Sequence, residues 1–181
     1  MPGSLYFLRK GVADVPIGQG WEVPGSEIPW SDHHWFRVSP RGALVVVCLS
    51  EAPLWYSGHY VSGRMAPCVG DGCELCAEGV GGQVRYVFAA AEVSTKRVGL
   101  LEVSRSNGLL IRSWVSRRGK FKGMVLEFSK HSHSKNSRTQ VLYIDEDLPP
   151  WYLALEVPDV KRALLMTWKK GGFKLPKGMV E

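Results

Sequence analysis

The sequence predicts a mainly β domain: a five-stranded barrel with one helix between its third and fourth strands, an insertion after the first strand and a second helix near the C-terminus. Three observations carry this. Short apolar runs rich in β-branched residues recur at 43–49, 84–93, 98–103, 121–128 and 139–144. One segment of helical spacing, 106–118, falls between the third and fourth of them. Three of the four cysteines bunch between Cys68 and Cys76, inside a glycine-rich stretch that interrupts the strand pattern.

Taken in order, residues 1–40 are rich in Gly and Pro and read as an irregular arm ending in Trp30, Trp35 and Phe36. Ala43–Leu49 (ALVVVCL) is a continuous apolar run, as in a strand buried on both faces. Residues 55–82 show no sustained periodicity and read as an insertion with its own organisation. In 84–93, Val87, Ala89, Ala91 and Val93 share one face, while Tyr86 and Phe88 point to the other. Thr95–Arg97 makes a turn into a second strand at 98–103, giving a hairpin. Ser106, Asn107 and Gly108 offer helix-start chemistry, Leu110, Ile111, Trp114 and Val115 recur at helical spacing, and Gly119 ends the segment. Two more strands, 121–128 and 139–144, flank the polar loop Ser129–Arg138. Pro158 introduces an amphipathic helix over Asp159–Trp168, followed by a basic tail. Five strands with a helix between the third and fourth is the order of the OB-fold, a partly open Greek-key barrel. The expected organisation is an arm (1–40), an OB core (41–146) with a knuckle at 55–82, and a C-terminal helix and tail (147–181).

Composition narrows the function. With 181 residues, 45% hydrophobic and 22% charged, the chain has enough apolar side chains for a packed core. Its longest apolar run is too short to span a bilayer, and its first residues lack a basic region followed by a long apolar stretch, so a cytoplasmic, nucleoid-associated location with no membrane partner is expected. The net charge of +6 is unevenly placed. Residues 96–140 hold eleven basic side chains against Glu102 and Glu127, while the rest of the chain has an acidic excess. A polyanion-binding face is expected there.

Cys68, Cys73 and Cys76 form C-x4-C-x2-C. The closing C-x2-C lets two thiolates meet one ion, and Gly70 and Gly72 permit the turns that bring Cys68 to the same point. His59 is the nearest fourth ligand, with His33 and His34 as alternatives. A closed thiolate–imidazole site leaves no position for water, so a structural zinc is expected. An iron–sulfur cluster would need a further cysteine, and none follows Cys76. Cys48, inside the first apolar run, reads as a small buried hydrophobe.

Rings near cations suit unpaired polynucleotide, because bases stack on aromatic faces while Lys and Arg track phosphates. The candidate stacking residues are Trp55, Tyr56, Tyr60, Tyr86 and Phe88. The candidate phosphate contacts are Arg64, Lys96, Arg97, Arg112, Arg117, Arg118, Lys120, Lys122, Lys130, Lys135 and Arg138, the last three in or beside the 129–138 loop. Trp114 reads as core, and His131 and His133 as solvated or phosphate-facing.

With these elements, and with ligands in the order His, Cys, Cys, Cys, the chain resembles the zinc-containing, helix-destabilising single-stranded DNA-binding proteins of tailed phages. His59, Cys68, Cys73 and Cys76 match that family's ligands in order and in the closing C-x2-C, and the resemblance spans roughly residues 43–144. The H-x8-C and C-x4-C spacings are shorter than the family's, and the C-terminal WKKGGFKLPKGMVE is basic where many such proteins carry an acidic tail. The resemblance implies a structural zinc, sequence-independent binding of single-stranded DNA in replication, recombination or repair, no enzymatic activity, and origin in a phage or other mobile element. RNA binding stays open, and the arm or tail is available for self-association along the strand. Two other classes stay open as alternatives: a metal-dependent nuclease, for which Asp32-His33-His34 is the one local constellation, and a zinc-stabilised protein-interaction adaptor.

Overall fold

The computed structural model describes residues 34–134, 137–146 and 148–176. Along the chain run β1 (His34–Trp35), β2 (Leu44–Cys48), β3 (Leu54–Val61), β4 (Arg64–Pro67), α1 (Glu74–Ala77), β5 (Gly82–Glu92), β6 (Val98–Ser104), α2 (Arg105–Arg118), β7 (Val125–Lys130) and β8 (Thr139–Ile144), then a 3-10 turn (Pro150–Ala154) and α3 (Val160–Lys170). The strands form one curled sheet in the order β1-β6-β5-β2-β7-β8, with the β3–β4 hairpin attached through β5. Every sequence-predicted strand and helix has a counterpart, but the count of five strands is corrected to eight among the described residues.

The extra strands have identifiable causes. β3 alternates as a strand should, with Tyr56 buried and Trp55 and Ser57 exposed. Its next buried positions are Gly58, on the Tyr56 face, and His59, on the opposite face, so the apolar alternation that would reveal it is broken. Gly58 is required there, because a Cβ would lie 2.7 Å from the Ala66 carbonyl oxygen on β4. β1 comes from the expected arm and pairs parallel with β6 at Gly99 and Leu100. β7 starts later than expected, because Phe121–Met124 forms a turn closed by Met124 N–H donating to Phe121 O, with Gly123 at φ 81.

β5 is the spine. It pairs with β6 along one side, and on the other with β2 near its C-terminal end and β3 near its N-terminal end. Both its faces are covered, which corrects the expectation that Tyr86 and Phe88 look outward. Phe88 is fully buried and meets Phe121 edge-to-face at 5.1 Å, in a cluster with Val46, Leu126 and Phe128. Tyr86 is half-buried against the same cluster and lies under α2 at Gly108. The opposite face, with Val87, Ala89 and Ala91, is covered by Ala163, Leu164 and Trp168 of α3. Cys48 is fully buried in β2, as expected, and burial pushes its thiol pKa up.

Both long helices are capped. Ser104 Oγ accepts the Asn107 N–H at 3.4 Å, so α2 begins just before the expected start, and Gly119 closes it at φ 84. Asp159 accepts the Arg162 N–H at 3.0 Å to start α3. Among the described residues no helix is long and apolar enough to cross a membrane.

Candidate metal centre and adjoining groove

Four side chains from three elements converge at the end of the β3–β4 hairpin. His59 lies near the end of β3, Cys68 follows β4, Cys73 caps the short α1 and Cys76 sits inside it. Gly70 (φ 76) and Gly72 (φ 78) take left-handed turns that β-carbons disfavour, folding the chain back so that Cys73 N–H donates to Gly70 O at 3.0 Å. The four ligand atoms all lie within 4.8 Å of one another.

Their spacing tests the fit to a metal. Around a tetrahedral zinc with Zn–S of about 2.3 Å and Zn–N of about 2.0–2.1 Å, neighbouring sulfurs stand about 3.8 Å apart and a sulfur and a nitrogen about 3.5 Å. Here Cys68 Sγ and Cys76 Sγ are 3.7 Å apart, and His59 Nε2 is 3.5 Å from Cys73 Sγ and 3.4 Å from Cys76 Sγ. His59 Nδ1 lies 2.9 Å from the Val80 carbonyl oxygen, which only accepts, so the ring proton sits on Nδ1 and Nε2 faces the sulfurs with its lone pair. The four residues could hold a metal ion and are consistent with zinc. An ion bound there would cross-link the hairpin to the start of α1, and with four protein ligands it would have no open position for substrate.

The metal-free cluster is electrostatically primed. The Cys76 backbone N–H donates to Cys73 and holds its thiol down to about 6, with burial opposing. Cys76 is pushed up to about 11, chiefly because its proton serves a hydrogen bond with Cys68. For His59, burial favours the neutral ring, but contacts with Cys68, the Val80 carbonyl and Cys73 outweigh it and raise the pKa.

Beside the hairpin runs a groove of about 770 Å³. It follows the edge of β6, which pairs with β1 only at Gly99 and Leu100; among the described residues no strand pairs with Leu101–Ser104 on that side. One wall is the hairpin, with Tyr60 57% exposed, and the other is formed by the end of β7 and the start of β8. Asn107 Nδ2 donates to Thr139 O at 3.0 Å across the seam, and His133 Nδ1 meets Pro40 O at 3.1 Å. Arg37, Arg85, Lys130 and Arg138 line the groove, and among the described residues Glu102 is the one carboxylate in its lining. Glu102 accepts the Tyr56 hydroxyl at 2.6 Å and pairs with Arg85 at 3.7 Å. Burial raises the Glu102 pKa, with the Tyr56 hydrogen bond and the Arg85 charge opposing.

The expected contact residues are therefore dispersed. Lys130, Arg138 and Tyr60 reach the groove. Tyr56 also touches it but is 3% exposed, meeting Trp168 edge-to-face at 4.9 Å, so neither Tyr56 nor the buried Phe88 offers a ring face to a base. Arg64 is half-buried at the hairpin turn. Trp55 is exposed on the other face of β3, opposite Tyr86. Lys96 stands over Trp151, and Arg97 pairs with Glu92 at 3.6 Å. Arg112 and Arg117 are exposed on α2, whereas Arg118 turns to the Tyr143 hydroxyl and Asp145. Lys120 is exposed after α2, and Lys122 pairs with Glu51 at 2.7 Å. Lys135 lies outside the described residues, as do Asp32 and His33. Trp114 is half-buried beside Tyr143, and His131 and His133 are exposed. Arg37, Arg85 and Trp35 were missed as groove residues; Arg85 beside Tyr86 on a strand, and Arg37 two residues after a tryptophan, are the faint signals that mark them.

No protein-family model, curated protein or solved structure matches the chain.

Proposed function

We propose that the protein binds single-stranded DNA without catalysis and largely independently of sequence, as an OB-fold whose β3–β4 hairpin is braced by a structural zinc. The groove is the observation that carries this reading: four cations and the exposed Tyr60 ring share one open channel in which, among the described residues, one carboxylate opposes them. Its position supports the same reading. OB-folds bind oligonucleotides on the face of strands 2–3 and on the loops joining strands 1–2 and 4–5. Counting β2, β5, β6, β7 and β8 as the barrel strands, those features are β5–β6, the metal-bearing hairpin and the 131–138 loop. Arg and Lys would neutralise phosphates, and Tyr60 would stack on a base. Since His59 precedes Tyr60 directly, an ion on His59 would fix the backbone that aims that ring.

Fluorescence anisotropy with labelled oligothymidylate, single-stranded RNA and duplex DNA tests the reading. Single-stranded DNA should bind and duplex should bind far more weakly. Replacing Lys130→Gln or Arg138→Gln should weaken binding by about fivefold each at 0.1 M salt, the worth of one lost phosphate contact on a single strand. Equal affinity for duplex, or no loss in either variant, would defeat it.

A further inference from the structure

The four side chains of the His-Cys-Cys-Cys cluster differ in their access to solvent. His59 is fully buried and Cys73 is 6% exposed, whereas Cys68 is half-buried and Cys76 is exposed. The two outer sulfurs are also neighbours, with Cys68 Sγ 3.7 Å from Cys76 Sγ. Cys73 turns its sulfur inward, to 3.5 Å from His59 Nε2. The fourth cysteine of the chain, Cys48, is fully buried in β2.

Spacing along the chain would select a different pair. Cys73 and Cys76 form the C-x2-C that closes into a disulfide in many redox proteins. In this fold, burial sets Cys73 apart and leaves Cys68 and Cys76 as the sulfurs that solvent reaches. Cys68 follows β4, and residues 69–72 join it to α1 through left-handed turns at Gly70 (φ 76) and Gly72 (φ 78). A loop built on two glycines can absorb the shift that closes 3.7 Å to an S–S bond of about 2.0 Å.

We infer that Cys68 and Cys76 are a reversible oxidation site for hydrogen peroxide, joining in a disulfide while Cys73 stays unoxidised. In the metal-loaded cluster every sulfur is deprotonated, so exposure decides which one is attacked first. The Cys76 sulfur attacks the peroxide O–O bond, forming an S–O bond and releasing hydroxide. The Cys68 sulfur then attacks the resulting sulfenic acid, forming the S–S bond and expelling its oxygen as a second hydroxide. Together the two thiolates give up two electrons, and with two protons from solvent the peroxide becomes two waters. His59 and Cys73 remain as ligands, too few for a closed site, and the β3–β4 hairpin loses its brace. A dithiol reverses the step by exchange. The inference stands apart from the nucleic-acid reading and is tested without nucleic acid.

The test treats the zinc-loaded full chain with hydrogen peroxide. A chromogenic chelator reads released zinc, and mass spectrometry of the intact chain and of its non-reduced peptides reads the disulfide. Bound zinc should fall from one per chain to none as the chain loses two hydrogen atoms, and the mapped bond should join Cys68 to Cys76. Dithiothreitol with added zinc should restore the starting protein. Cys48→Ser should respond as the wild type does, since Cys48 is buried away from the cluster. Cys76→His keeps a four-ligand set at an exposed position, and should hold its zinc over the time in which the wild type loses it. The peptide map needs no variant, so it decides the pairing even if Cys76→His binds zinc poorly. Zinc retained with no disulfide formed, a bond mapped between Cys73 and Cys76, or a gain of oxygen in place of a disulfide would each overturn the inference.

Discussion

Removing the metal should loosen the hairpin and lower stability by a measurable amount. His59 is fully buried and Cys73 nearly so, so without an ion their ligand atoms face one another across less than 4.8 Å with no cation between them. An ion that binds the folded chain at about a thousand times its dissociation constant adds about 4 kcal/mol. For a domain of this size each kcal/mol moves the melting temperature by about 2–4 °C, so chelation should lower it by about 8–16 °C. The assay is thermal unfolding with and without chelator, beside metal analysis of the same sample. One zinc per chain is expected before chelation, and re-addition of zinc should restore the melting temperature. Two serine variants sharpen the result. Cys76 is exposed, so Cys76→Ser removes little packing yet should abolish the chelator effect. Cys48 is buried away from the site, so Cys48→Ser should lower stability but leave the zinc content at one. Metal-free protein with an unchanged melting temperature would refute the reasoning, as would a Cys76→Ser protein that still responds to chelator.

Two further outcomes follow from packing and burial. In an ordinary helix Gly→Ala stabilises by about 1 kcal/mol, but a Cβ on Gly108 would sit 2.2 Å from Cδ2 of Tyr86, so Gly108→Ala should destabilise by about 1–3 kcal/mol in denaturant titration and be neutral or stabilising in a Tyr86→Ala background. Glu102 has a raised pKa in the folded state, so from its ordinary value of about 4.3 upward the native chain holds its proton more tightly than the unfolded chain. Stability should therefore fall as pH rises through the folded value, and Glu102→Gln should flatten that part of the pH profile; an unchanged slope would remove Glu102 as its source.

What could be read from the sequence followed the range of the forces involved. The His-Cys-Cys-Cys cluster was legible because glycine turns and a C-x2-C act over a few residues, and His59 joined them as the nearest imidazole. Most strands were legible because β-branched runs announce themselves, whereas β3 was hidden because its buried positions include Gly58 and His59. Tyr86 and Phe88 were assigned outward because strand alternation separates two faces without saying what covers each; Phe121 and α2 do so from more than twenty residues away. Charge counted by segment gave too much weight to residues 96–140. Of that segment's basic side chains, Lys130 and Arg138 line the groove, and Arg37 and Arg85 join them through tertiary contacts.

The salt dependence of single-strand binding tests the central claim most directly. With Arg37, Arg85, Lys130 and Arg138 supplying three or four phosphate contacts, the logarithm of the affinity for oligothymidylate should fall against the logarithm of salt with a slope of about −2 to −3. A slope near zero, or no binding at low salt by zinc-loaded protein, would contradict the account.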